Sequence, residues 1–206
     1  MSSAESSERL RLFCAVELPA RLRARAFEHL KQLRASAPQV KASWEREEKL
    51  HVTLKFFGAT EAARLSALTE AAARAVAGIA PFELTLEDVG AFPSVREPRV
   101  LWLGVMDTQG ELRRLQQQLE TACAAAGFAR DERPFHAHVT LARIRTANAN
   151  ARRLAHYQRQ LGFAPQPFTV NELVIMRSDL GPNGSQYTPL ARLALQSVEP
   201  GQPLSA

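Results

Sequence analysis

The chain has 206 residues, 46% of them apolar, with a formal net charge of +5 and two cysteines. That length supports one sizeable core, or two small lobes sharing one. It holds no apolar run near the ~20 residues of a membrane helix, and its polar start, "MSSAESSERL", lacks a signal-like stretch. Cys14 and Cys123 are too few for a disulfide framework and read as reduced core thiols of a cytoplasmic protein. The arginine-weighted charge suits polyanions. An alanine-rich composition accounts for it more simply, and the excess is too small for a protein that coats nucleic acid.

Residues 1–8 are expected to form a frayed tail and 197–206 a loose one, with one folded unit over 9–196. "RLFCAVEL" (about 10–18) is an apolar run ending at Pro19 and reads as a strand. Leu22, Phe27, Leu30 and Leu33 then fall at helical spacing over 20–36. "LHVTLKFFG" (50–58) alternates and reads as a strand. A helix is predicted over 60–78 with Thr60 as N-cap, and a strand over 81–92. "RVLWLGVM" (99–106) is apolar enough to suggest a strand buried on both faces. Thr108 and Glu111 suggest a capping box for a helix that turns Leu112, Leu115, Leu119 and Cys123 inward and stops at Gly127. Further elements are a strand at 135–143, a helix at 149–161, a strand at 167–178, the turn-rich "SDLGPNGSQ" and a last strand at 187–195.

The order strand, helix, HVTL strand, helix, strand thus occurs twice. His51 and His138 lie 87 residues apart, the first strands of the two series about 88, and the "PF" openings of the third strands 86. Three landmarks at one displacement argue for an internal duplication with repeats over about 10–92 and 98–178. Its period is too long for a solenoid. The expected fold is α+β: a bilobal, pseudo-twofold arrangement of antiparallel-rich sheets lining a central cleft, with helices outside.

Residues i and i+2 of a strand face the same way. His51, Thr53 and Lys55 then share one face, and Val52, Leu54 and Phe56 the other. His138 and Thr140 likewise oppose Val139 and Leu141. Two lobes meeting at a twofold axis would confront one histidine with the other. Such a pair can split the work of displacement at phosphorus, one imidazole accepting a proton while the other donates. Hydroxyls and cations would steady the phosphoryl oxygens, with Thr53, Thr140, Lys55 and Arg143 as candidates. Arg143, five residues past His138, would face away in a flat strand and needs the strand end, a twist or a bulge to reach the site. His136, two residues before His138, either orients it or lines the pocket. A zinc site of His51, His136 and His138 is the metal alternative, and a non-catalytic RNA or nucleotide binder is another. His29 and His156 read as surface histidines. The chain carries no P-loop, no glycine-rich dinucleotide turn and no GxSxG.

Two H-x-T motifs on duplicated lobes resemble the 2H phosphoesterase superfamily, and within it the RNA 2′,3′-cyclic phosphodiesterases, also called 2′-5′ RNA ligases. The resemblance runs over about 9–195, through "RLFCAVELP", "LHVTLKFFG", "PRVLWLGV", "PFHAHVTLAR" and "SDLGPNGSQYTPL". It implies hydrolysis of a terminal 2′,3′-cyclic phosphate to a 2′-phosphate without a metal or other cofactor, and in some members reversible 2′-5′ joining of tRNA halves. By position, His51 would be the proton donor and His138 the proton acceptor, with Thr53, Thr140 and Arg143 on the phosphate. Lys55, His136 and Phe57 are possible pocket residues, whereas Phe56 falls on the apolar phase. Ala137 stands where the family often has proline. The implied partner is an RNA or nucleotide bearing a 2′,3′-cyclic phosphate, such as a tRNA half, met by a monomer away from any membrane.

Overall fold

Nine strands and four helices follow one another along residues 8–181 and 184–196, which the computed structural model of the chain describes. The expected tails, apart from Glu8, lie outside the described residues. In chain order the elements are β1 (Arg9–Glu17), α1 (Ala20–Ser36), β2 (Ala42–Trp44), β3 (His51–Glu61), α2 (Leu65–Val76), β4 (Phe82–Ser94) and β5 (Glu97–Met106). There follow α3 (Glu111–Ala125), β6 (His138–Ile144), α4 (Ala149–Leu161), β7 (Gln166–Val170), β8 (Glu172–Gly181) and β9 (Gly184–Ala194).

Helix boundaries show where local chemistry overrules a simple reading. Thr60 is no N-cap: β3 runs on through it to Glu61, and a short 3-10 turn at Ala62–Arg64 precedes α2. Thr108 does not cap α3 either. Gly110, at φ 78°, sits before the first turn, and the Asp107 carboxylate accepts from the Arg113 amide at 3.0 Å. Asn148 caps α4, its side-chain oxygen accepting from the Ala151 amide at 3.0 Å. Leu112, Leu115, Leu119 and Cys123 are all buried along α3, and each leucine so buried contributes about 1.5–3 kcal/mol. His29 is buried as well, edge-on to Phe163 at 5.5 Å, and is not the surface histidine its charged neighbours suggest.

The strands form one sheet in the order β7-β4-β5-β6-β3-β1-β8-β9, with β2 paired to β6 and every ladder antiparallel. The segment read as a single strand at 167–178 is two strands at different places in it. β7 pairs with β4, whereas β8 pairs with β1. Halves of the sheet therefore differ from the two sequence repeats. β4, last of the first repeat, pairs with β5, first of the second, and β8 pairs back with β1. This exchange ties the repeats into one sheet. The main core fills the space between one sheet face and the helices, where α1 meets α4 and α2 meets α3. A small second cluster of Phe13, Ala15, Val174 and Met176, with Tyr187 against it, lies apart from that core. β1 and β8, which feed both clusters, are thus strands buried on both faces. β5 buries Leu101 and Leu103 and leaves Trp102 half-buried.

Candidate active site

β3 and β6 touch at one antiparallel pair, Val52 with Val139. These residues are 87 apart, so each is the repeat equivalent of the other, and the pseudo-twofold axis passes between them. Both are fully buried and hold the two strands on the core. One step along either strand brings His51 opposite Thr140 and Thr53 opposite His138, the side chains alternating away from the core.

Each strand then carries the same irregularity. Thr53 pairs with Ala15 and Lys55 with Cys14, which skips Leu54; Thr140 pairs with Trp102 and Ala142 with Leu101, which skips Leu141. A β-bulge adds one residue and reverses the phase beyond it. Leu54 and Lys55 are consequently both buried, as are Leu141 and Ala142. Phe56 and Arg143, equivalent across the repeat, emerge on the histidine side.

The result is a cavity of about 250 Å³ whose walls include His51, Thr53, Phe56, His138, Thr140 and Arg143, with Arg11, Glu45, Lys49, Ser178, Ser185 and Tyr187 completing its polar lining. Histidines and threonines from both repeats converge there, and Arg143 reaches it through the bulge. Three expected residues do not. The Lys55 ammonium turns to the far side, where it donates to both Glu120 oxygens at 2.8 Å and to the Ala129 carbonyl at 2.8 Å. Phe57 packs edge-on to Phe128 at 5.4 Å. The His136 ring is exposed and lies against Phe92 and Trp102 at 5.2 and 5.4 Å. Conversely Phe56, read as a core residue, is 45% exposed in the cavity wall. Among the described residues, no three His, Cys, Asp or Glu side chains converge on a metal-sized space.

Both imidazoles are held alike. His51 Nδ1 lies 2.6 Å from the Lys49 carbonyl, and His138 Nδ1 lies 2.7 Å from the His136 carbonyl, again equivalents 87 apart. A carbonyl only accepts, so Nδ1 carries the hydrogen in each ring and Nε2 is left as the basic atom. The Thr53 hydroxyl donates to His51 Nε2 at 2.9 Å while that ring is neutral. His136 therefore orients His138 through its backbone. Phe13 stacks on His51 at 5.0 Å and Tyr187 meets it edge-on at 5.5 Å; Phe92 meets His138 at 5.0 Å.

Burial pushes the His51 imidazole down to about 4, against the Lys49 carbonyl and Glu17, which favour its cation. Burial also lowers His138, with help from the charges of His136 and Arg143. Glu45 is raised by burial, despite Lys49 and Arg143 nearby. Arg11, Lys49 and Arg143 outnumber Glu45, so the cavity favours an anion.

The profile of the 2′-5′ RNA ligase superfamily matches residues 18–182. The chain belongs to that superfamily. Among its relatives is an RNA 2′,3′-cyclic phosphodiesterase of Geobacillus stearothermophilus, 36% identical over 138 residues, which is 67% of this chain but 43% of that protein. The RNA 2′,3′-cyclic phosphodiesterase of Archaeoglobus fulgidus is 32% identical over 181 residues, 88% of this chain and 98% of that one. The fold superposes on the crystal structure of E. coli LigT complexed with 3′-AMP, with a TM-score of 0.71, 31% identity, and 92% and 100% of the two chains covered.

Among the cavity residues, Arg11, Phe13, Glu45, Lys49, Phe56, Ser178, Ser185 and Tyr187 were not among the expected site residues. The HVTL repeat itself carried a signal for Phe56. Strict alternation would have put Ala142, the equivalent of Lys55, on the polar face, and an alanine there hinted that the phase had changed.

Proposed function

We propose that this superfamily member is an RNA 2′,3′-cyclic phosphodiesterase that opens terminal 2′,3′-cyclic phosphates to 2′-phosphates by histidine acid–base catalysis, without a metal. The observation that carries this reading is the Val52–Val139 pair, which brings two Nδ1-anchored imidazoles to one anion-favouring cavity. The cyclic phosphate would sit at the pseudo-twofold axis between them. His138 Nε2 accepts a proton from water as its oxygen bonds to phosphorus. The P–O3′ bond breaks, and His51 Nε2–H gives its proton to the departing 3′-oxygen. One proton enters the protein and one leaves it, so the pair ends with its charges exchanged. Thr53, Thr140 and Arg143 hold the non-bridging oxygens as charge builds on them.

Burial favours the neutral form of both imidazoles, and the acid must be charged. A bound phosphate anion favours the imidazolium and so supplies the missing proton affinity. With a 5′-hydroxyl in place of water, the same displacement yields a 2′-5′ linkage, which makes reversible ligation of RNA ends, tRNA halves among them, part of the proposal. We place the reaction in the cytoplasm, carried out by a monomer.

The test is an oligonucleotide ending in a 2′,3′-cyclic phosphate, incubated with EDTA, with the product digested to nucleotides and its terminal phosphate located by chromatography against 2′- and 3′-phosphate standards. A 2′-phosphate is expected. His51→Ala and His138→Ala should each lower kcat by roughly 10²–10⁴-fold. Near-full activity in both variants, or activity abolished by EDTA and restored by zinc, would overturn the reading.

A further inference from the structure

A second cavity, of about 560 Å³, opens on the other side of Phe56, which lines both. The first cavity, at about 250 Å³, falls below the roughly 300–1,000 Å³ of ordinary small-molecule sites. It has room for a cyclic phosphate and its ribose, and little more. A longer strand held there must leave it, and Phe56 stands at the exit. Its ring is 45% exposed, with the Arg11 guanidinium 5.4 Å from its centre.

The second cavity is basic, and its cations are not equally available. Lys55 is occupied by Glu120 and Ala129. Arg133 is paired with Asp131. Arg64 lies 4.0 Å over the Phe128 ring and donates to the Ala126 carbonyl at 3.0 Å. Arg9 and Arg130 line the cavity and are exposed, and their guanidiniums make no ion pair or hydrogen bond among the described residues, although Arg9 lies across the β1–β3 ladder from Glu61. Glu61 and Asp131 are the carboxylates in its wall, and Asp131 is already engaged. Arg9 and Arg11 sit two apart on β1 and share a face. One lines the second cavity and the other the first, so a row of positive charge runs past Phe56 from site to site.

We propose that this groove binds single-stranded RNA on the 5′ side of the reacting end. A base stacks on Phe56 as the strand leaves the catalytic cavity, and the backbone phosphates that follow lie against Arg9 and Arg130. The proposal rests on the phosphodiesterase reading of the first cavity. It adds that the protein distinguishes an RNA strand from a free cyclic nucleotide, and that it does so outside the histidine site. An exposed aromatic beside unpaired guanidiniums is the pattern of sequence-tolerant single-strand binding.

The experiment uses the full chain with Arg9→Glu and Arg130→Glu combined, its fold checked by thermal melting. Hydrolysis of 2′,3′-cyclic AMP is compared with that of a ten-nucleotide RNA ending in a 2′,3′-cyclic phosphate. For the oligonucleotide, kcat/KM should fall roughly tenfold or more, and the slope of log KM against log salt should shrink by about 1.4, some 0.7 for each lost phosphate contact. The mononucleotide value should stay within about twofold, because neither arginine lines the catalytic cavity. Equal losses on both substrates, or no loss on either, would overturn the groove and leave the catalytic reading standing. If the wild-type protein hydrolyses neither substrate, the catalytic reading fails, and the groove is then decided by fluorescence anisotropy with the same RNA carrying a 3′-phosphate. Weaker, less salt-sensitive binding by the double variant supports the groove, and unchanged binding refutes it.

Discussion

Removing the Glu120 carboxylate tests the phase reversal in β3 directly. The Lys55 side chain is 2% exposed and that of Glu120 12%, and the ammonium makes all three of its hydrogen bonds inside the protein. Glu120→Ala leaves a buried ammonium with the Ala129 carbonyl alone. Breaking a buried pair from one side costs about 3–5 kcal/mol, since the surviving charge keeps its desolvation penalty. Against a total stability of about 5–15 kcal/mol this is a large share. At roughly 2–4 °C per kcal/mol for a chain of this size, it lowers Tm by about 6–20 °C. Lys55→Met should cost a similar amount by stranding Glu120, and Lys55→Met with Glu120→Leu should recover most of the loss, because an apolar pair of similar volume carries no desolvation penalty. Urea unfolding gives the stabilities. Cyclic phosphodiesterase activity, measured where each variant is fully folded, should stay within about fivefold of wild type, because the pair faces away from the histidines. A Lys55→Met protein with the wild-type Tm and a large loss of activity would refute the bulge and return Lys55 to the cleft, as plain alternation requires.

Acidity gives two further expectations and packing a third. His51 is held at about 4 and His138 below its usual 6.5, so kcat/KM, which reports the free protein, should be bell-shaped and fall about tenfold per unit above pH 6.5; a profile flat from pH 6 to 8 would contradict the paired roles. Stability should also depend on pH, since His29 is likewise pushed by burial down to about 4. The unfolded chain binds more protons between about pH 4 and 6.5, so these histidines stabilise the fold above that window and lose their contribution as pH falls through it. Tm measured across the window should drop toward acid, and His29→Leu should flatten part of the drop. Gly90 admits no side chain, because a Cβ there would lie 2.1 Å from Trp102 Cζ2. Gly90→Ala should cost about 1–3 kcal/mol by overpacking and shift tryptophan emission, and an unchanged spectrum and Tm would show that Trp102 moves freely.

Much of the fold could be read from the chain because duplication supplies its own control. A lone His-x-Thr strand is uninformative, but two at a constant 87-residue displacement predicted equivalent strands, and Val52 does pair with Val139. The apolar stripe of α3 and the bounds of α1 were likewise legible, since helical periodicity is local. What could not be read depends on partners distant in sequence. The bulges at Leu54 and Leu141 are defined against β1 and β5, and single-strand alternation cannot place an extra residue. Lys55 and Phe56 were therefore assigned to each other's sides. The Lys55 partner, Glu120, lies 65 residues away on α3 and carries no local mark. The split of 167–178 into β7 and β8 was hidden for the same reason, because each half finds a different neighbour.

Pseudo-symmetry gives the site its two imidazoles, and the departures from symmetry give it direction. Phe56 and Arg143 occupy one position in the two repeats and emerge through the same bulge, yet one offers a ring and the other a cation. A cyclic phosphate on the axis is nearly symmetric in its charge, whereas the nucleotide that carries it has a base on one side only. In the proposed reaction Arg143 would then serve the phosphate and Phe56 the base. Arg143→Ala should lower kcat/KM by roughly 10²–10³-fold on mononucleotide and oligonucleotide alike, the usual loss for one donor to developing negative charge. Phe56→Ala should leave kcat nearly intact and raise KM for substrates that carry a base, by roughly tenfold for one lost stacking contact. Steady-state kinetics on 2′,3′-cyclic AMP and on the base-free cyclic phosphate of ribose separate the two, since only the first can feel Phe56. If Phe56→Ala slows both substrates equally through kcat, the ring is supporting the fold of β3, and the direction of the strand across the site must be set elsewhere.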